Sequence, residues 1–202
     1  DYKTGKKSFD LAELRYGLGL QMLLYLFTLK EEGRALFGGQ EIVPAGVLYT
    51  PAREPMLRCA RDTAPEKIEK AREKELRRSG MVLEDPAVLQ AMEHSALTSP
   101  CYLPIAVKKD GAVTGSLASA EQLGKLSKYV DLLLHEITQE VFAGNIDADP
   151  YARTPQQSAC TYCEFASACH FENGCGSDRM EYIKATKNDE FWQHIDEVNG
   201  KE

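Results

Sequence analysis

The chain has 202 residues, of which 43% are hydrophobic and 27% are charged. These proportions are typical of a folded domain and exclude a disordered chain, and no apolar run approaches the roughly 18 residues of a membrane span. The net charge of −7 argues against tight nucleic-acid binding by this chain alone, because such binding depends on Lys and Arg that neutralise phosphates.

The first fifty residues predict a strand, a long helix and a second strand. Residues 1–3 have the character of a strand end, and the break at Gly38-Gly39 is followed by a predicted strand at residues 42–49. Between them, residues 10–33 predict one long helix, because apolar or aromatic residues recur every three to four positions. The residues of this stripe are Leu11, Leu14, Leu18, Met22, Tyr25 and Leu29.

The middle of the chain continues the alternation of helices and strands. Residues 65–78 predict a charged helix, and Asp85 before Pro86 is typical of the start of a short one. A strand is predicted at residues 102–108. Ser119 is expected to cap a second long helix that ends near residue 143. The apolar face of this helix is predicted to consist of Leu123, Leu126, Val130, Leu133, Ile137 and Val141. This order predicts an α/β fold. The charged helix mixes acids and bases, which favours a solvated surface; a basic face turned toward DNA is the functional alternative.

Asp1 and Lys3 are separated by one residue on the predicted first strand, so their side chains are expected on the same face. A carboxylate at this position can hold a hard cation such as Mg²⁺ through oxygen. An ammonium beside it can orient an attacking water and offset negative charge on a phosphorane-like transition state. This pair is a candidate catalytic site.

Gln21 and Tyr25 stand one helical turn apart in the predicted long helix. At the border of the buried stripe, their amide and phenol can reach toward the strand of Asp1 and Lys3. The structural alternative is a tyrosine that fills the core beside a solvated glutamine.

Four of the six cysteines occupy a stretch of 16 residues, and their spacing is C-x2-C-x5-C-x5-C at Cys160, Cys163, Cys169 and Cys175. Thiolates this close in sequence favour zinc or an iron-sulfur cluster, and the alternative is a set of reduced thiols or a local disulfide. Without a secretory signal, six cysteines also favour a reducing, cytoplasmic compartment. Cys59 and Cys101 are predicted to be small buried residues.

The motifs Asp1-Tyr2-Lys3, Gln21-x3-Tyr25 and Cys160-x2-Cys163-x5-Cys169, in this order, resemble those of the PD-(D/E)xK nucleases of the RecB type. Within that group the chain resembles the AddB subunits of bacterial AddAB helicase-nucleases. The resemblance covers essentially the whole chain and includes residues 44–49, 79–83, 103–111 and 150–151.

The resemblance implies a restriction-endonuclease-like core and a role for each matching residue. Asp1 is a Mg²⁺ ligand, Lys3 is the catalytic lysine, and Gln21 with Tyr25 supports the site and its DNA. The three cysteines at 160, 163 and 169 are ligands of a 4Fe-4S cluster whose fourth cysteine lies upstream in the family. That cysteine is absent here, as is the family's other acidic metal ligand. Cys175 is then a substitute ligand or, more simply, a bystander.

The implied function is that of a Mg-dependent DNA exonuclease domain in an assembly that unwinds and digests double-strand break ends for recombinational repair. An AddA-like subunit is the implied motor and partner. We expect a fragment, truncated at its N-terminus and inactive in isolation, with an α/β core at residues 1–145, a cysteine-rich iron-sulfur region at 146–178 and a tail at 179–202. The alternative is a non-catalytic zinc- or cluster-binding scaffold that contacts DNA or a partner protein.

Overall fold

The computed structural model describes residues 2 and 7–200, and the chain divides into two compact units. The first unit contains Gly19–Ser127 and the described residues up to Asp10, and the second contains Leu11–Leu18 and the described residues from Lys128 onward. The predicted strand at residues 1–3 falls largely outside the described residues. Within those residues, no helix has the length and apolar character needed to cross a membrane. The predicted boundaries at residues 145 and 178 stay a prediction.

Helices and short strands alternate along the described chain. In order they are α1 (Leu11–Arg15), α2 (Gln21–Leu36), β1 (Gly46–Tyr49), α3 (Pro65–Glu75), β2 (Ser79–Leu83), α4 (Pro86–Met92), β3 (Ile105–Val107), β4 (Val113–Gly115), β5 (Leu117–Ala118), α5 (Ala120–Ala143), β6 (Tyr151–Thr154), β7 (Gln157–Ser158), α6 (Ala166–Cys169), β8 (Glu181–Tyr182) and α7 (Asn188–Asn199).

The prediction of one long helix at residues 10–33 is wrong, because two helices take its place. Gly17 and Gly19 adopt left-handed backbone angles, with φ of 71° and 70°, and so end α1 before α2 begins. The backbone N–H groups of Gly17 and Leu18 donate to carbonyls of α1, which completes the turn. The periodicity continued across the break, so it did not reveal the two glycines as a boundary.

The sheet of the first unit has the order β1-β2-β5, with β1 antiparallel and β5 parallel to the central strand. Residues 80–83 of β2 are all buried. Val82 lies in a core cluster with Leu89 of α4 and with Leu103 and Ile105. Gly80 sits so close to β1 that a Cβ at this position would overlap the backbone of Val47 and Leu48. The glycine therefore permits the pairing of the two strands.

Local signals in the middle of the chain predicted helix starts correctly. Asp85 Oδ1 accepts hydrogen bonds from the backbone N–H groups of Ala87 and Val88, at 2.8 and 3.1 Å. The Ser119 hydroxyl accepts from the Gln122 N–H at 3.1 Å, and the Gln122 side chain accepts from the Ser119 N–H at 2.9 Å. Both predicted caps are confirmed.

Two strands are shorter than predicted, at residues 46–49 and 105–107. Before the second of them, the N–H groups of Tyr102 and Leu103 donate to the carboxylate of Glu93 instead of to a neighbouring strand. Pro104 has no N–H to donate. The chain bends there and does not belong to a sheet.

The second unit is built around α1, α7, the later part of α5 and the small sheet β7-β6-β8. Helices α1 and α7 pack together, and Leu14, Phe191 and Ile195 are almost completely buried. The Tyr129 hydroxyl donates to the Arg15 carbonyl at 3.0 Å and lies 3.4 Å from His194 Nε2. The segment predicted as a tail thus supplies a helix of this unit.

The predicted apolar face of α5 is only partly buried. Leu123, Leu126 and Val130 are at most 2% exposed, whereas Ile137 and Val141 are 47% and 71% exposed. The exposed fraction of the apolar residues thus rises toward the end of the helix. The buried face predicted for those later turns is therefore wrong in this structure.

Candidate active site

Gln21 is the first residue of α2, and Tyr25 follows it by one turn. The Gln21 side-chain Nε2 donates a hydrogen bond of 2.7 Å to the Tyr25 hydroxyl. Leu23 and Phe27 are buried on the opposite side of the helix, while Tyr25 remains 47% exposed. The structural alternative, in which Tyr25 fills the core, is wrong. The hydrophobic residues of α2 anchor the helix and leave this polar pair at the surface.

The direction of this hydrogen bond determines what the pair can do chemically. The Tyr25 oxygen acts as the acceptor, so its O–H is left to donate to another group such as a phosphate oxygen or a water. The bond also restricts the rotamers of both side chains before any ligand arrives. An exposed, preoriented donor of this kind is suited to positioning an anionic group.

Asp1 and Lys3, the other two predicted site residues, lie outside the described residues, so their catalytic roles stay predictions. PD-(D/E)XK nucleases generally use a divalent metal such as Mg²⁺. Among residues 2 and 7–200, no three His, Cys, Asp or Glu side chains are grouped so that they can hold a metal ion. Carboxylate oxygen at Asp1 is a suitable donor for Mg²⁺, but one carboxylate is far fewer ligands than this ion takes.

The four clustered cysteines are distributed over three local elements, of which the first holds both Cys160 and Cys163. The Cys163 N–H donates to the Cys160 carbonyl at 3.2 Å, and Cys169 ends the short helix α6. Cys175 lies in a further turn, where its N–H donates to the Glu172 carbonyl at 2.9 Å. Each turn is closed by its own backbone hydrogen bonds, with no need for a shared metal.

A metal or cluster on these cysteines does not fit the arrangement seen here. All six thiols are free, and Cys163, Cys169 and Cys175 are exposed. In the described chain they form no group of three that can bind a metal. Dense spacing in sequence did not bring the side chains together, so no chemical step is assigned to a cluster.

The other two cysteines differ from expectation as well. Cys59 is exposed and Cys101 is half-buried, so the prediction of two small buried residues is wrong. Cys59 belongs to a groove that sequence reasoning missed. This groove has a volume of about 610 Å³ and lies along α3. The signal in the sequence was the excess of Lys and Arg over Asp and Glu within residues 51–80.

Comparison with known proteins gives this geometry a context. Residues 1–170 match the PD-(D/E)XK nuclease superfamily. The matched range contains all four predicted site residues and the first three clustered cysteines, and it ends before Cys175. The predicted nuclease family and α/β fold class are confirmed.

Curated relatives extend this similarity over almost the whole chain. This chain is 31% identical over 204 residues to a protein of Ruminiclostridium cellulolyticum. It is 35% identical over 194 residues to a protein of Acetivibrio thermocellus. Each is named as the B-type subunit of an ATP-dependent helicase/deoxyribonuclease. The matches cover 100% and 95% of this chain, which spans only 18% and 17% of the relatives' lengths. The chain belongs to the PD-(D/E)XK nuclease superfamily.

Proposed function

We propose that the chain is the nuclease domain of the B-type subunit of an ATP-dependent helicase-deoxyribonuclease. Its reaction is hydrolysis of DNA phosphodiester bonds at double-strand break ends, which prepares them for recombinational repair. The observation that carries the proposal is the superfamily match over residues 1–170, which includes Asp1, Lys3, Gln21 and Tyr25. The names of the relatives support the DNA substrate.

Each proposed site residue has a distinct task. Asp1 contributes one oxygen ligand to Mg²⁺, and the ion supplies Lewis-acid stabilisation of a phosphoryl oxygen when it is bound. Lys3 places a positive charge beside the phosphate as negative charge develops. The hydrogen-bonded Gln21 and Tyr25 hold and orient the DNA strand. We propose that further acidic ligands come from residues upstream of this chain.

A partner subunit is part of the proposal. The sequence contains no GxxxxGK[ST] phosphate-binding loop, so this chain carries no recognisable ATP site of that type. An AddA-like subunit then supplies ATP-driven unwinding. The substrate of such an assembly is chromosomal DNA, which supports a cytoplasmic location in a bacterium.

The 4Fe-4S cluster is proposed only for a longer protein. Cys160, Cys163 and Cys169 provide three thiolates, and the fourth ligand is an upstream cysteine. The spacing and the family resemblance support this assignment. The rival scaffold with zinc on four local thiolates is less favoured, because it needs Cys175, which lies beyond the superfamily match that ends at residue 170.

The decisive experiment is nuclease activity on linear duplex DNA, with Mg²⁺ and ATP, for the full-length subunit in complex with its motor partner. We expect Lys3→Ala to abolish cleavage of one strand while unwinding persists. Lys7→Ala is the matched control, because Lys7 is an exposed lysine in the same short segment. Digestion of both strands by the Lys3 variant at the wild-type rate would show that the domain is structural.

A further inference from the structure

Positive charge is concentrated in one segment of this acidic chain. Residues 51–80 contain nine Lys and Arg against six Asp and Glu, a net charge of +3. Since the whole chain carries −7, the other 172 residues together carry −10. The net charge of this segment therefore favours the approach of a polyanion, whereas the net charge of the remaining residues opposes it.

The groove along α3 lies within this segment. Its apolar lining includes Met56, Leu57 and Ile68. Its charged lining consists of Arg58, Lys67 and Lys74 together with Glu75, which is the single carboxylate among the described lining residues. No residue of α3 is buried, so the helix presents these side chains without being part of the core.

The cations that line the groove differ from the neighbouring Arg72, because Arg72 forms ion pairs and they form none with the described residues. Arg72 forms an ion pair of 2.7 Å with Glu54 and one of 3.7 Å with Glu69. These carboxylates raise the pKa of Arg72, by hydrogen bonding to Glu54 first and by charge second. By contrast, none of the three lining cations has an ion-pair partner in the part of the chain that the structure describes.

We propose that this groove binds the phosphate backbone of a DNA strand, at Arg58, Lys67 and Lys74. Lys67 and Lys74 are seven residues apart on α3, so they share a face and are separated by about 10 Å along the helix. That separation matches about three nucleotides of a duplex strand at 3.4 Å each. The choice of DNA as the polyanion rests on the proposed function.

The lining also defines the type of recognition. No aromatic side chain is among the described residues that line the groove, so bases have no stacking platform there. Binding through phosphates alone is independent of sequence and strongly dependent on salt. The groove is thus a second, non-catalytic contact that holds DNA on the domain.

The test is binding of the 202-residue chain to a fluorescein-labelled 20-base-pair duplex and to a labelled single strand of dT20. Anisotropy is measured in EDTA over a series of salt concentrations. The variant Arg58→Gln/Lys67→Gln/Lys74→Gln is expected to bind both about tenfold more weakly at 50 mM salt, and to lower the slope of log K against log salt by about 2 to 3. The control Lys30→Gln/Lys108→Gln/Lys109→Gln removes the same charge from exposed positions outside the groove.

We expect the affinity of the control variant for both probes to stay within twofold of the wild-type affinity. Equal weakening by the two variants would reduce the effect to net charge and overturn the proposal. It would also be overturned by a groove variant that binds like wild type, or by a wild-type chain that binds neither probe. Because EDTA removes the metal, this readout does not depend on cleavage. A failed Lys3 experiment with a positive groove result would reject only the nuclease role.

Discussion

A carboxylate oxygen of Glu93 accepts a hydrogen bond of 2.6 Å from the backbone N–H of Cys101. The same carboxylate accepts from the N–H groups of Tyr102 and Leu103, at 3.2 and 2.9 Å. One side chain therefore satisfies three consecutive backbone donors just before β3. The buried side chains of Leu103 and Ile105 depend on this anchor for their position in the core.

We expect Glu93→Gln to lower the free energy of unfolding by about 1 to 2 kcal/mol at pH 7, because a charged acceptor is replaced by a neutral one. Burial raises the pKa of Glu93, but the hydrogen bonds from Cys101, Leu103 and Tyr102 together outweigh it and lower the pKa below its usual 4.5. The stabilisation is thus present above pH 4.5 and is lost as the pH falls through the folded-state pKa.

Urea denaturation of wild type and Glu93→Gln at several pH values between 7 and 3 measures this dependence. The two proteins should converge in stability at the acid end. Glu84→Gln, at an exposed position between β2 and α4, should change the free energy of unfolding little at any pH. A difference between wild type and Glu93→Gln that does not vary with pH would contradict the assigned role of the charge.

Tyr25→Phe removes the hydroxyl that accepts from Gln21. We expect roughly tenfold slower cleavage by the full-length subunit with its motor partner, since the DNA strand is less well positioned. Stability should change by less than about 0.5 kcal/mol, because the side chain is exposed. Tyr182→Phe, at a tyrosine that is 44% exposed, is the matched control and should cleave normally. Equal rates for both variants would argue against a role for the pair.

Tyr129 should titrate abnormally in the folded chain. Burial raises its pKa from 10 to about 12. A raised pKa means that the contribution of the neutral phenol to stability is complete below pH 10 and is lost as the pH rises toward 12. Ultraviolet absorbance of wild type should therefore include a delayed tyrosinate step near pH 12 that belongs to Tyr129. The variant Tyr129→Phe should remove that delayed step, and an unchanged titration curve would refute the assignment.

Gly80→Ala places a methyl group against the backbone of Val47 and Leu48. Because β1 and β2 must then separate, we expect a loss of about 2 to 3 kcal/mol in the free energy of unfolding. Gly124→Ala is the control, since a Cβ there meets no atom within 4 Å and alanine favours the helix. Thermal denaturation distinguishes the two. A Gly80 variant as stable as wild type would mean that the strands tolerate a wider spacing.

The purified 202-residue chain should contain less than stoichiometric zinc or iron, because no three of its cysteines are grouped to hold a metal ion in the described chain. Thiol reagents should label Cys59, Cys163, Cys169 and Cys175 rapidly and Cys101 and Cys160 more slowly. Elemental analysis together with mass spectrometry of labelled peptides measures both quantities. One zinc per chain with four protected thiols would instead support the scaffold function.

Features that depend on neighbouring residues could be predicted from the order of the amino acids. The caps at Asp85 and Ser119 and the one-turn pairing of Gln21 with Tyr25 follow from local geometry, and each is present in the structure. The superfamily was recognisable for a related reason, since short motifs in a given order need no knowledge of the folded chain.

Contacts between residues that are far apart in the chain are visible in the folded structure alone. Tyr129 reaches the carbonyl of Arg15 across 114 positions, and Arg153 pairs with Glu13 across 140. No local pattern encodes such contacts, so the assignment of residues 11–18 to the second unit was missed. Likewise, the sequence gives the spacing of the cysteines along the chain, but the backbone hydrogen bonds of the local turns decide where the thiols lie in space.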